Sequence, residues 1–580
     1  MNLPLGMSPR PKRKRPWIVP LPMAVIAAVI GIIAAGVWYV LQLPSTEKAL
    51  PFDGRKQVIV FHGKPYAVPY HVESDQIMLP FDFWKEHIDP HLYWDEPGKS
   101  VIVTTKDKVL RMESDQLVAY LNKRPVDLRV PVREVDGVRY IPVAPLEKLY
   151  PIVLTRHEDS GILEVEKAGY AVQQGNVVAP DGETGPQIMR TGSSFSRPVV
   201  AELQRGAVVD IVGEEAGWYQ VMTRQGIIGY LPKDAVKITK VRQVLLSQPT
   251  RSTPAWKPVG GKINLVWEHV VNRNPDVSGI GAMTGLSVVS PTWFELKDAQ
   301  ATLDNKADPA YVAWAHQRGY QVWGLVSNGF NPDWTKAVLA SYELREKLIA
   351  QILHYARLYD LDGINLDFEN VYLDDKERLV QFVRELTPYL HEQGLTVSMD
   401  VTIKSSSDRW SRFYDRAALA EIVDYIAVMT YDEHWASSPK AGSVASLPWT
   451  EAGLRGVLEE VPNKKLLLGI PFYTRLWKEA KQPDGSVKVT SKALSMMRAQ
   501  EWIRERSLTP RLDVASGQLF VSYKDPADGA VYKMWLEDAT SIRKRIALVH
   551  KYQLAGVASW RRGFELPEIW TSIEEGLKQK

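Results

Sequence analysis

Residues Asp362 to Asn370 read DGINLDFEN. Ile364, Leu366 and Phe368 alternate with Asn365, Asp367 and Glu369, so an extended strand places three apolar side chains on one face and three polar ones on the other. Two carboxyls then share a face. An ionised carboxylate away from water costs several kcal/mol unless it is paired, so acids on the inward side of a strand need a chemical reason. The competing reading is an edge strand whose polar side meets solvent.

The flanking chain decides between them. Strand-like runs fall at Lys262 to Val270, Gly285 to Thr292, Gln321 to Asn328, Gly363 to Asn370, Thr396 to Ile403, Tyr425 to Tyr431, Lys465 to Phe472 and Gly556 to Trp560, with amphipathic helical stretches such as Ser341 to Tyr359 and Lys376 to Gln393 between them. Strands alternating with helices over residues 262 to 580 predict a (β/α)8 TIM barrel, whose active sites lie at the C-terminal ends of the strands. The long segment Lys478 to Asp538 reads as an inserted α+β lobe beside the cleft. Glu369 then sits at the mouth of the fourth strand, with Asp367 one inward step below, about 6 to 7 Å along the strand. The sixth strand ends in Met429, Tyr431 and Asp432, the seventh leads to Tyr473 and Arg475, and the eighth ends at Trp560.

These residues carry a resemblance. DGxDxDxE falls on Asp362, Gly363, Asn365, Asp367 and Glu369, MxYD on Met429 to Asp432, and a final-strand tryptophan on Trp560; in this the chain from Lys262 onward resembles glycoside hydrolase family 18, the chitinase-like family. The resemblance implies a retaining glycosidase acting by substrate assistance. Glu369 would protonate the leaving oxygen while the sugar's own acetamido group attacks. Asp367 would orient that group, Tyr431 would hydrogen-bond its oxygen, and Trp560 would floor the sugar. Asn365, Met429, Asp432, Tyr473 and Arg475 join Trp560 as candidate substrate-binding residues, and Asp362 and Gly363 are the structural part of the motif. Independently of the family, a carboxylate below Glu369 disfavours its ionisation and suits it to act as an acid. The chain departs from the signature at Asn365, where an aspartate is usual; the expectation is that this keeps Asp367 predominantly ionised. A glycan-binding member without activity is the non-enzyme alternative, but such members typically lose the acid, and Glu369 is present.

Outside the barrel the reading is modular. Residues 1 to 22 hold a basic cluster with Arg10 and Arg15, followed by Met23 to Leu43, an uncharged run long enough to span a bilayer. Basic residues before it predict a cytoplasmic N-terminus and a single-pass membrane protein with its bulk outside a bacterial cell, the alternative being a cleaved signal peptide and secretion. Residues 46 to 168 show an internal duplication, in which Val58 to Val68 is echoed by Val118 to Leu128, and resemble the copper amine oxidase N-terminal-like domain. Residues 169 to 240 resemble a bacterial SH3-like domain, carried by GWYQV at Gly217 to Val221 and GIIGYL at Gly226 to Leu231; such domains often bind cell walls. A polar linker spans 241 to 261.

Composition narrows the partners. A net charge of +3 over 71 basic and 68 acidic residues gives nucleic-acid binding no support. The chain has no cysteine, which excludes disulfides and thiolate chemistry. His62, His71, His87, His91 and His157 show no tight ligand spacing, so neither a metal nor another cofactor is expected. The expected partner is an N-acetylated polysaccharide. Export, an anchor and the SH3-like module favour peptidoglycan, as does the resemblance of Ala441 to Leu454 to spore and cell-wall members of the family; chitin is the alternative.

Overall fold

The computed structural model describes residues 43 to 579 except 159, 181 to 184 and 247 to 260, together with a few positions between 25 and 36. The anchor read at Met23 to Leu43 therefore lies in large part outside the described residues, among which no helix is long and apolar enough to cross a membrane. The chain divides into two compact units, one holding residues up to Phe83 with Val138 to Thr250, the other Trp84 to Gly137 with Arg251 to Lys580. The sequence duplication does not coincide with this division, because Val58 to Val68 falls in the first unit and Val118 to Leu128 in the second.

In the first unit a seven-stranded sheet runs, in order, through Val199–Leu203, Gln187–Arg190, Ile228–Pro232, Trp218–Thr223, Val208–Glu215, Ala171–Val177 and Val236–Gln243. Val177, Met189, Val209, Val221, Leu231 and Val236 form its small apolar core. Strand Val58–Phe61 pairs in parallel with Ile162–Lys167. Arg242 joins the two pieces, reaching Glu166 at 2.8 Å and Asp210 at 2.5 Å.

The second unit is built on eight parallel strands: β1 (Ile263–Glu268), β2 (Val288–Pro291), β3 (Gln321–Ser327), β4 (Gly363–Asp367), β5 (Thr396–Thr402), β6 (Tyr425–Met429), β7 (Leu466–Pro471) and β8 (Gly556–Trp560). β8 pairs with both β7 and β1, which closes the barrel. All eight predicted runs are strands, each shorter than or equal to its sequence estimate. Ile364 and Leu366 of β4 face outward into an apolar layer with Phe382, Val383 and Leu386 of the surrounding helices, which leaves the polar residues to face inward. Gly363 opens the strand because a Cβ there would stand 2.7 Å from both the Thr396 carbonyl oxygen and the Trp323 ring. Asp362, just before it, accepts from the Val322 N–H at 2.8 Å and contacts His316 at 2.8 Å, pinning the base of the strand.

Two additions surround the barrel. Tyr93–Asp95, Ser100–Thr104, Val109–Glu113, Val118–Leu121 and Arg124–Asp127 form an antiparallel meander. It packs on helices α1 (Tyr342–Leu358) and α2 (Lys376–Glu392), where Ile102 and Val109 share one core with Leu348 and Leu386. Arg345 of α1 is fully buried there between Glu385 at 3.0 Å and Asp95 at 3.1 Å. The inserted lobe is a five-stranded antiparallel sheet with helix α3 (Met496–Glu505) over Val521, Met534 and Leu536. Its first strand, Tyr473–Lys481, grows directly out of β7, so Tyr473 and Arg475 belong to the lobe rather than to the end of the barrel strand.

Candidate active site

The C-terminal ends of the strands open into a cleft of about 1230 Å³. Asp367, Glu369, Met429, Tyr431, Asp432 and Trp560 line it, so the catalytic candidates converge from three strand ends. β4 stops at Asp367 and Glu369 lies in the first irregular residues beyond, where other side chains must hold it. Asn328, following β3, does so. Its carboxamide oxygen accepts from the Glu369 N–H at 3.0 Å and its amide donates to the Glu369 carbonyl at 2.7 Å. Tyr414 donates to the Phe368 carbonyl at 2.8 Å, and the Asn370 amide donates to the Phe330 carbonyl at 2.8 Å.

Electrostatics favour a protonated Glu369. Burial first, then Asp367, then Asp432 raise its pKa well above the ordinary carboxyl range. The sequence argument named only the neighbouring carboxylate; the structure makes burial the larger cause. Asp367 is itself pushed up to about 7 by burial, and its Oδ1 is enclosed without a hydrogen-bond partner. Burial thus moves Asp367 toward its protonated form, the opposite direction from the expectation attached to Asn365, because loss of hydration disfavours the anion. Burial also raises the Tyr431 phenol, which stays a neutral donor.

Asn365 does not line the cleft. It is fully buried beneath it, its oxygen accepting from the Trp267 indole at 2.9 Å and from Ser290 at 3.1 Å, its amide donating to Ser398 at 3.0 Å and Asp400 at 2.9 Å. Four partners of opposite kinds fix which way the carboxamide points. Tyr473 and Arg475 also stand behind the wall. The Tyr473 hydroxyl donates to Asp432 at 2.7 Å and Arg475 approaches the same oxygen at 3.4 Å, which orients Asp432 at the rim. Trp560 has its ring centroid 6.0 Å from that of Trp267 and 5.7 Å from that of His269. The neighbouring Arg562 donates its backbone N–H to the Trp267 carbonyl at 3.0 Å and pairs with buried Glu268.

Residues 316 to 565 match the family model described as glycosyl hydrolases family 18. Over these residues the barrel is similar to family 18 glycosidases. Residues 60 to 158 match the copper amine oxidase N-terminal domain and residues 187 to 237 the bacterial SH3 domain. An uncharacterized glycosylase, YvbX, of Bacillus subtilis (strain 168) is 27% identical over 46% of this chain and 78% of its own. A cortical fragment-lytic enzyme of Bacillus anthracis is 28% identical over 49% of this chain and 66% of its own. Human di-N-acetylchitobiase is 26% identical over 47% and 78% respectively. The family 18 signature accounts for Glu369, Asp367, Tyr431 and Trp560, but not for Asp400, Asn328 or Trp267. Asp400, a charged residue within the apolar strand TVSMDVT, is the one of these three with a visible sequence signal.

Proposed function

We propose that this protein is an exported, membrane-anchored glycosidase that cleaves β-linked N-acetylglucosamine bonds in peptidoglycan, with retention and substrate assistance. The observation that carries the chemistry is Glu369, a carboxyl kept protonated by burial and by Asp367 at the mouth of the barrel. Its proton passes to the glycosidic oxygen as that bond breaks. The acetamido oxygen of the sugar on the non-reducing side closes on the anomeric carbon, forming a cyclic cation. Asp367 lies on the same wall as Glu369, placed to receive the acetamido N–H and balance the charge, and the neutral Tyr431 hydroxyl donates to the acetamido oxygen. Water, deprotonated by the Glu369 carboxylate, then opens the ring from the same face the leaving group left, which gives retention.

Peptidoglycan is favoured by the bacterial SH3 domain and by the similarity to a cortical fragment-lytic enzyme; the uncharged run at 23 to 43 behind a basic cluster supports export and anchoring. Action on chitin oligosaccharides is the second reading, favoured by the similarity to di-N-acetylchitobiase. Digestion of purified peptidoglycan and of chitin oligosaccharides in parallel, with borohydride reduction of the products, separates the two. Reduced N-acetylglucosamine from peptidoglycan is the expected new end, and cleavage of chitin oligosaccharides alone would establish the second reading.

A further inference from the structure

β5 carries an acid that the family signature does not include. The β4–β5 ladder pairs Asn365 with Ser398 and Leu366 with Met399. One step further along the same register sets Asp367 beside Asp400, on neighbouring strands about 4.8 Å apart. Both face the barrel interior and line the same cleft. We infer that Asp400 is the proton partner of Asp367, supplying from the fifth strand the carboxyl that the signature places at residue 365.

Three observations carry this. Asn365, standing where the signature has an acid, donates to Asp400 Oδ1 at 2.9 Å and so aims the relocated carboxyl. Asp367 Oδ1 is buried and lacks a hydrogen-bond partner, a vacancy that a proton held by the adjacent carboxyl fills. Among the described residues no lysine, arginine or histidine pairs with Asp367, Asp400 or Glu369, and side-by-side carboxyls without a cation share a proton. The groups around Asp400 are Asn365 and Asp367 from β4, Glu369 just beyond it, Trp267 from β1, Tyr431 beyond β6, and Tyr414, which itself faces Arg416. Burial and then Asp367 raise the Asp400 carboxyl well above its usual range, with the Asn365 hydrogen bond acting the other way.

This role rests on the substrate-assisted reading above. One proton lies between the two carboxyls in the free enzyme. As positive charge builds on the acetamido group, the O–H bond at Asp367 breaks and one forms at Asp400, leaving Asp367 anionic; the transfer reverses when water opens the ring. Asp400 is thus a positioning residue acting through Asp367.

The test uses the full chain with 4-methylumbelliferyl diacetylchitobioside. Asp400→Asn keeps the shape and the contact with Asn365 but cannot take a proton. Its kcat is expected to fall about thirtyfold, within the range of lost proton-transfer effects, with KM changed less than about threefold. The acidic limb of kcat should move to higher pH, because an amide N–H stabilises the Asp367 anion less than a shared proton does. The exchange N365D/D400N returns the carboxyl to β4 and should recover kcat to within about fivefold of wild type. Wild-type kcat and pH profile in D400N, or a folded but inactive exchange variant, would overturn the assignment; if D400N alone does not fold, the exchange variant decides. Glu369→Gln run alongside distinguishes the two levels: a silent E369Q beside a wild-type D400N removes Asp400 only, whereas an active E369Q removes the reading of the site itself.

Discussion

Asn328 grips the backbone of Glu369 from both sides, accepting from its N–H at 3.0 Å and donating to its carbonyl at 2.7 Å. The acid lies beyond the last paired residue of β4, so this side chain replaces the missing strand neighbour. Asn328→Ala should lower kcat by about tenfold or more, since small displacements of a catalytic group are expensive, while KM moves little. A variant with unchanged kcat would show that Tyr414 and Asn370 hold the segment without help.

Glu369 must be protonated to act, and burial with two neighbouring carboxyls raises its pKa. Activity should therefore persist to higher pH than an ordinary carboxyl allows, and fall as pH rises through the elevated value. The basic limb of kcat/KM against pH reports it. Glu369→Gln should reduce turnover by at least about a hundredfold, with release of reducing ends as the assay.

Asp367 has a folded-state pKa of about 7 against 3.8 for an ordinary aspartate. A raised folded value means that its stabilising contribution is complete below the unfolded pKa and is lost as pH climbs through 7. Asp367→Asn should thus be more stable than wild type at pH 8, by about 1 to 3 kcal/mol, and gain little at pH 4, while losing activity at both. Calorimetry at the two pH values checks this, and equal gains at both would contradict it.

Arg345 is enclosed with Glu385 and Asp95. Arg345→Ala leaves two buried carboxyls without their cation and should cost about 3 to 5 kcal/mol, read from urea unfolding of the full chain. A change below about 1 kcal/mol would mean that the carboxyls take up protons at little cost.

Much of the barrel was legible because one strand face is a repeating choice between apolar and polar, and DGINLDFEN makes that choice at every residue from Ile364 to Glu369. Glu369, Tyr431 and Trp560 were legible because each sits at or within two residues of the end of such a strand. Asp400 stood out only as a charge within an apolar strand; its place beside Asp367 depends on the register between β4 and β5, which no local pattern records. Asn365 pointed to the right place, but its surroundings were not legible: its four partners come from three other strands, and one of them is Asp400. Tyr473 and Arg475 were read as ends of β7, but after a single bend at Phe472 the chain passes into the lobe's first strand, which holds both.

That junction bears on how a barrel of this kind can be altered. The two side chains that latch Asp432 are the first and third residues of the lobe's opening strand. The lobe is consequently no detachable ornament: shortening it, exchanging it for that of a relative, or tilting it about its junction with β7 would also reset one wall of the cleft. Engineered changes in substrate range made at the lobe should therefore carry a cost in turnover unless Tyr473 and Arg475 travel unchanged.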